Sequence, residues 1–139
     1  MKFRRMTALI PMLGLLFAAL IGCGNSDVVS VSGTISYKNK PLANYIVNFV
    51  PEKGRPSIGT TDGNGNFTLG YSTDTKGAER GKHIVSVEPM NAMEQQVPGV
   101  PATPTNPETK AMLEKYSPAT SKHTVEITGS VSGLKINLD

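Results

Sequence analysis

The 139-residue chain has one cysteine, no tryptophan and two histidines. A lone cysteine excludes an internal disulfide, so the fold must be held by packing. His83 and His123 fall short of a catalytic zinc site, which normally takes three protein ligands, and no HExxH pattern supplies the rest. No Gly-x-Ser-x-Gly elbow and no phosphate-type glycine loop occur. The expectation is therefore a non-catalytic chain, with no catalytic, cofactor-binding or metal-ligating residue assigned. The missing tryptophan, with aromatics at only 6% of residues, leaves no usual sugar-stacking platform. An excess of one charge is also lacking. Of 14 Lys and Arg, three (Lys2, Arg4 and Arg5) lie before residue 23; the rest balance the 11 Asp and Glu. No basic stripe with interleaved aromatics remains, which excludes a nucleic-acid footprint.

There is one long apolar run, residues 7–21, "TALIPMLGLLFAALI", directly behind that basic start. A charged opening followed by such a run is the pattern of a secretory signal. A membrane-spanning helix needs about 20 apolar residues to cross the hydrocarbon. This run is shorter, is interrupted by Pro11, and is followed at once by Gly, Asn, Ser and Asp. Residues 1–22 are expected to be a cleaved signal, residues 23–27 a short tether, and residues 28–139 a single domain of ordinary size.

The cysteine stands at the end of the run, in "LIGCGNS". As a core residue, nucleophile or metal ligand it would have to lie inside the fold, yet it precedes every strand that can be read. Leu20-Ile21-Gly22-Cys23 resembles the lipobox of bacterial lipoproteins. The resemblance implies a diacylglyceryl group on the Cys23 sulfur, cleavage between Gly22 and Cys23, and a new N-terminus open to further acylation of the palmitate type. The thiolate is a fitting nucleophile for taking up the lipid. Two or three chains would give lasting attachment where one gives only marginal binding. The implied location is lipid-anchored at a cell membrane. Gly24, where the inner-membrane-retained class carries Asp, implies an outer-membrane or cell-surface position over the inner membrane.

From Val28 onward the apolar period is two, the signature of strands. Val29, Val31, Ile35 and Tyr37 alternate with Ser30, Ser32, Thr34 and Ser36. Strands are expected over 28–37, 45–50, 67–71, 83–88, 124–127 and 134–138. Between them stand turns at 38–42, 62–65 and 73–81, a Gly/Pro loop over 52–58, and a link through Gly129 and Gly133. Short alternating strands between turn signals predict an all-β, antiparallel β-sandwich of about seven strands. Residues 90–118 interrupt it as a long Pro-rich loop with a short helix. Pro98, Pro101, Pro104 and Pro107 recur every third residue, the period of polyproline II. Asn106 reads as an N-cap and Pro107 as the first helical residue of "PETKAMLEKY", with Met112 and Tyr116 one turn apart. The insert is either a docking site for a partner or a solvated crossover, and the crossover is the simpler reading.

The stretch "VSGTISYKNKPLANYIVNFVPEKGRPSIGTTDGNGNFTL" resembles the carboxypeptidase regulatory-like domain, a transthyretin-like sandwich. The match lies in Gly33, Lys40-Pro41-Leu42, Phe49, and the turn motif Thr61, Asp62, Gly65 and Phe67. Gly81-Lys82-His83 fits the later strand entry, and "EKYSPATSKHTVEI" is similar to the tails of small lipoproteins with this domain. The resemblance implies an Ig-like or transthyretin-like fold and a non-catalytic structural or protein-interaction module. Its partners would be membrane lipid through Cys23 and an envelope protein, with no cofactor. The alternative is a small-ligand module for carbohydrate or peptide, and a hydrolase ranks last. Asp62-Gly63-Asn64-Gly65-Asn66 also invites a calcium reading. An EF-hand loop begun at Asp62 would, however, place Phe67 and Thr73 where Gly and Glu are required. A tight turn explains the same residues.

Overall fold

The computed structural model describes residues 27–92 and 106–139. The expected signal, Cys23 and the prolines at 98, 101 and 104 lie outside the described residues. The described chain folds as two packed sheets, an all-β sandwich. In one sheet, β2 (Val31–Tyr37) is flanked by β10 (Val131–Leu138). Two short strands, β3 (Lys40–Pro41) and β6 (Asn66–Thr68), share its opposite edge at different levels. The other sheet has the order β5 (Ser57–Thr60), β4 (Tyr45–Pro51), β8 (Gly81–Pro89), β9 (Thr124–Ile127). A two-residue ribbon of β1 (Val28–Val29) and β7 (Ala78–Glu79) closes one end. Seven strands exceed two residues, in keeping with the expected number.

The alternation in β2 works as a core device. Val31, Ile35 and Tyr37 are buried while Ser32, Thr34 and Ser36 are half-exposed. Phe49 from the second sheet meets Phe67 from the first with ring centroids 6.0 Å apart. Val47, Val85, Val87, Leu69, Ile127, Ile136 and Leu138 complete the interior. Each large side chain buried here contributes about 1.5–3 kcal/mol.

The structure departs from the sequence reading in several places: Lys40–Pro41, read as turn, forms β3, and the strand read over 67–71 runs only over Asn66–Thr68. Residues 57–58, read as loop, begin β5. Its inward positions are Ser57 and Gly59, and its one large apolar residue, Ile58, faces out, so the strand carries no apolar alternation. A Cβ at Gly59 would lie 2.9 Å from the Thr68 carbonyl, so the position is kept small by its neighbour. Residues 78–79, read as turn, form β7, too short for periodicity to register. Gly133, read as part of a link, is a bulge inside β10, where the register slips between Ser132 and Leu134. Pairing is antiparallel throughout except for β2 with β10, which is parallel. The exception follows from the crossover. Residues 128–130 carry the chain from one sheet to the other at the end where β2 begins, so β10 must run the same way as β2.

Strand directions give the sandwich two distinct ends. The β1·β7 end gathers Asp27, the 52–56 and 71–76 loops and the β9–β10 crossover. Asp27 is fixed there by the Arg80 amide, which donates to its carbonyl at 2.8 Å. The opposite end gathers the β2–β3 turn, the 62–65 turn, both roots of the insert and the helix α1 (Pro107–Tyr116).

Candidate functional site

The helix end is the most built surface outside the sheets. The helix begins where the sequence predicts, because Asn106 Oδ1 accepts the Glu108 amide at 2.9 Å and Pro107 occupies the first turn. One face is buried through Met112 and Tyr116, so the helix plugs the opening between the sheets. The Tyr116 ring meets Tyr37 edge-on at 6.4 Å and His123 edge-on at 6.3 Å. Its hydroxyl donates to the Asp139 main-chain oxygen at 2.7 Å and accepts the Asp139 amide at 3.1 Å. Lys115 bonds the same oxygen and sits 5.1 Å from the Tyr116 ring centroid. Hydrogen bonding to Tyr116 is the main influence holding the Lys115 ammonium above the ordinary lysine value.

The helix is a ridge between two hollows. On the side of the β2–β3 hairpin, Tyr37, Pro41, Leu42, Tyr45, Thr109 and Met112 line a space of about 300 Å³. Lys40 closes its rim with a 3.1 Å ion pair to Glu108. On the other side Glu114, Lys115, Tyr116, Thr120, Lys122 and His123 line about 490 Å³. Both combine aromatic or aliphatic walls with hydrogen-bonding rims, an arrangement suited to holding a side chain or small group.

The turn motif lies at the same end, and each of its residues has a mechanical task. Thr61 Oγ1 accepts the Tyr45 amide at 2.9 Å, pinning the turn to the start of β4. Asp62 accepts the amides of Asn64 and Asn66 and the Asn66 side-chain amide, all within 2.9 Å. Those bonds, the Asn66 side chain first, hold its carboxyl below the ordinary value. Gly65 is buried with φ 76°, and its carbonyl accepts the Ile35 amide at 2.9 Å. A Cβ there would lie 2.5 Å from the Ile35 carbonyl, so only glycine fits. Phe67 then enters the core. Gly33 meets a similar constraint, since its Cβ would strike the Leu134 carbonyl at the β10 bulge.

His83 and His123 do lie on neighbouring strands, β8 and β9 or its entry. His83 is fully buried; its Nε2 lies 2.8 Å from the Glu79 carbonyl, which places the proton on Nε2, and Nδ1 has no partner. Its ring packs on Phe49 at 5.9 Å. His123 instead faces the helix. Among the described residues no group of three or more His, Cys, Asp and Glu could hold a metal ion. No helix among the described residues is long and apolar enough to cross a membrane.

Sequence reasoning found the helix and the turn motif but missed the Tyr37–Tyr116–His123 cluster and its tie to Asp139. The only signal was the one-turn spacing of Met112 and Tyr116, which says that a face is buried but not against what. Comparison with known proteins adds nothing, as no family model, curated protein or solved structure matches the chain.

Proposed function

We propose that the chain is a lipid-anchored lipoprotein of the bacterial cell envelope, carrying a carboxypeptidase regulatory-like sandwich that serves as a non-catalytic interaction module. The observation that carries this reading is "LIGC" (residues 20–23), placed behind a basic start and an apolar run and only four residues before the fixed Asp27. The contact surface for an envelope partner is the helix end, with its two hollows and the roots of the Pro-rich insert. This end lies at the opposite pole of the sandwich from Asp27, so anchoring leaves it free.

Two experiments test this. Mass spectrometry of the mature N-terminus is expected to find an acylated Cys23; an unmodified Cys23, or a terminus elsewhere, rejects the anchor. Cross-linked co-purification from membranes tests the module. Exchanging residues 93–105 for a Gly/Ser segment of equal length is expected to remove a partner, and an unchanged partner set excludes the insert.

A further inference from the structure

Among the described residues four large hydrophobic side chains are notably exposed: Val50 at 39%, Ile58 at 50%, Ile84 at 43% and Met90 at 49%. Three of them share one place. Val50 and Ile84 are direct partners in the β4·β8 ladder, and Ile58 pairs with Asn48, two residues along β4 from Val50. All three point away from the core, since the intervening Phe49, Val85, Ser57 and Gly59 are the buried ones. Diagonal neighbours of this kind stand about 7–8 Å apart, so the three form one patch. The patch lies toward the β1·β7 end, one residue from Pro51 and from Ser57, the limits of β4 and β5 there. Met90 lies at the helix end.

We infer that Val50, Ile58 and Ile84 form a bilayer-contact surface, which seats the anchored end of the sandwich on the lipid headgroups. The inference rests on the anchor read at Cys23. Three residues separate Cys23 from Asp27, so four Cα-to-Cα steps give a reach of about 14 Å at full extension. The eight residues of β10 span about 25 Å from one end to the other. The tether therefore holds the β1·β7 end at the membrane and is too short to let the helix end replace it. Charge does not do this work, because signs are mixed around the patch: Lys82 faces Glu126 across the β8·β9 ladder, and Glu52 precedes Lys53. Seating on zwitterionic phosphatidylcholine, which has no net charge, should match seating on anionic vesicles. Apolar burial at the headgroup boundary is what remains to orient the molecule.

The test uses the lipidated chain in phosphatidylcholine vesicles. Acylation occupies the native thiol, so Ile84→Cys and Met90→Cys can each carry a single fluorophore. Both positions are exposed and were apolar, and they differ in which end they mark. A lipid-borne shallow quencher is expected to quench the Ile84 label severalfold more than the Met90 label. Adding Ile58→Glu to the Ile84→Cys protein should reduce that quenching while the protein stays vesicle-bound. Equal quenching at the two labels, or indifference to Ile58→Glu, overturns the proposal. Protection of the Ile84 label that persists without lipid and grows with protein concentration marks a second copy as the occupant and also overturns it. A chain whose intact mass shows no lipid at Cys23 removes anchor and seating together, whereas a lipidated chain with equal quenching removes the seating alone.

Discussion

At the β1·β7 end the sandwich is closed by backbone, and at the helix end by side chains. The β1·β7 ribbon, the Arg80–Asp27 bond and the close passage of Gly77 beneath Val29 leave no space for a side chain between them. At the helix end a three-ring cluster and Met112 fill a wider opening, and the hollows beside α1 are what that filling leaves over. Backbone closure tolerates almost no change of residue at its tight points but depends little on side-chain identity elsewhere. Side-chain closure has the opposite weakness: its residues can be exchanged singly, and each exchange costs packing. A surface that must be held in one place suits the first kind, and a surface adapted to a partner suits the second.

The comparison breaks most readily at Tyr116. Tyr116→Ala removes a buried ring and the ties to Asp139, and should cost about 3–5 kcal/mol by denaturant unfolding. At the other end the tightest point is Gly77, with φ 120° and a Cβ position 2.0 Å from the Val29 carbonyl. Gly77→Ala should cost about 2–3 kcal/mol, with faster hydrogen exchange at the Arg80 amide as the local sign. A loss spread evenly over both ends would mean that the closures are not separate. Asn106→Ala removes the helix cap and should cost about 1 kcal/mol, seen first as faster exchange in α1.

The two smallest effects are electrostatic, one for each end. Asp62 is held below its ordinary value, so the stability it lends the turn is present above that value of 3.8 and is lost as the pH falls past it. Asp62→Ala should flatten the acid limb of stability against pH; an unchanged limb would mean that the turn does not depend on the carboxylate. At the β1·β7 end, the Tyr71 hydroxyl donates to Glu79, and ionisation would set two negative charges together. This hydrogen bond is the first cause raising the phenol above 10.0. Glu79→Gln should move the ultraviolet titration of Tyr71 back toward the ordinary value.

Legibility in the sequence follows the same division. Strands whose inward residues are large and apolar, such as β2, β4 and β8, announced themselves by alternation. Those facing inward with Ser57, Gly59 or Ala78 did not, because there the core is completed by a neighbour's bulk. The helix was legible from its cap, its proline and one apolar pair. What it plugs was not, because Tyr37, Tyr116 and His123 are far apart along the chain. The turn motif could be read because its residues act within the turn or on the strands β2 and β4 beside it. The apolar patch at Val50, Ile58 and Ile84 was hidden within three separate segments, and only the register puts them side by side.

The parallel pairing of β2 with β10 has a consequence in time. Ser36 and Asn137, joined by a side-chain bond across that pair, are 101 residues apart in the chain. One edge of β2, the one not taken by β3 and β6, therefore gains its partner only when β10 has been made, and the loop closed by that pairing takes in nearly the whole described domain. Folds dominated by such distant pairings form slowly. A chain of this design leaves that edge of β2 open until β10 emerges, so the first sheet is completed after the second.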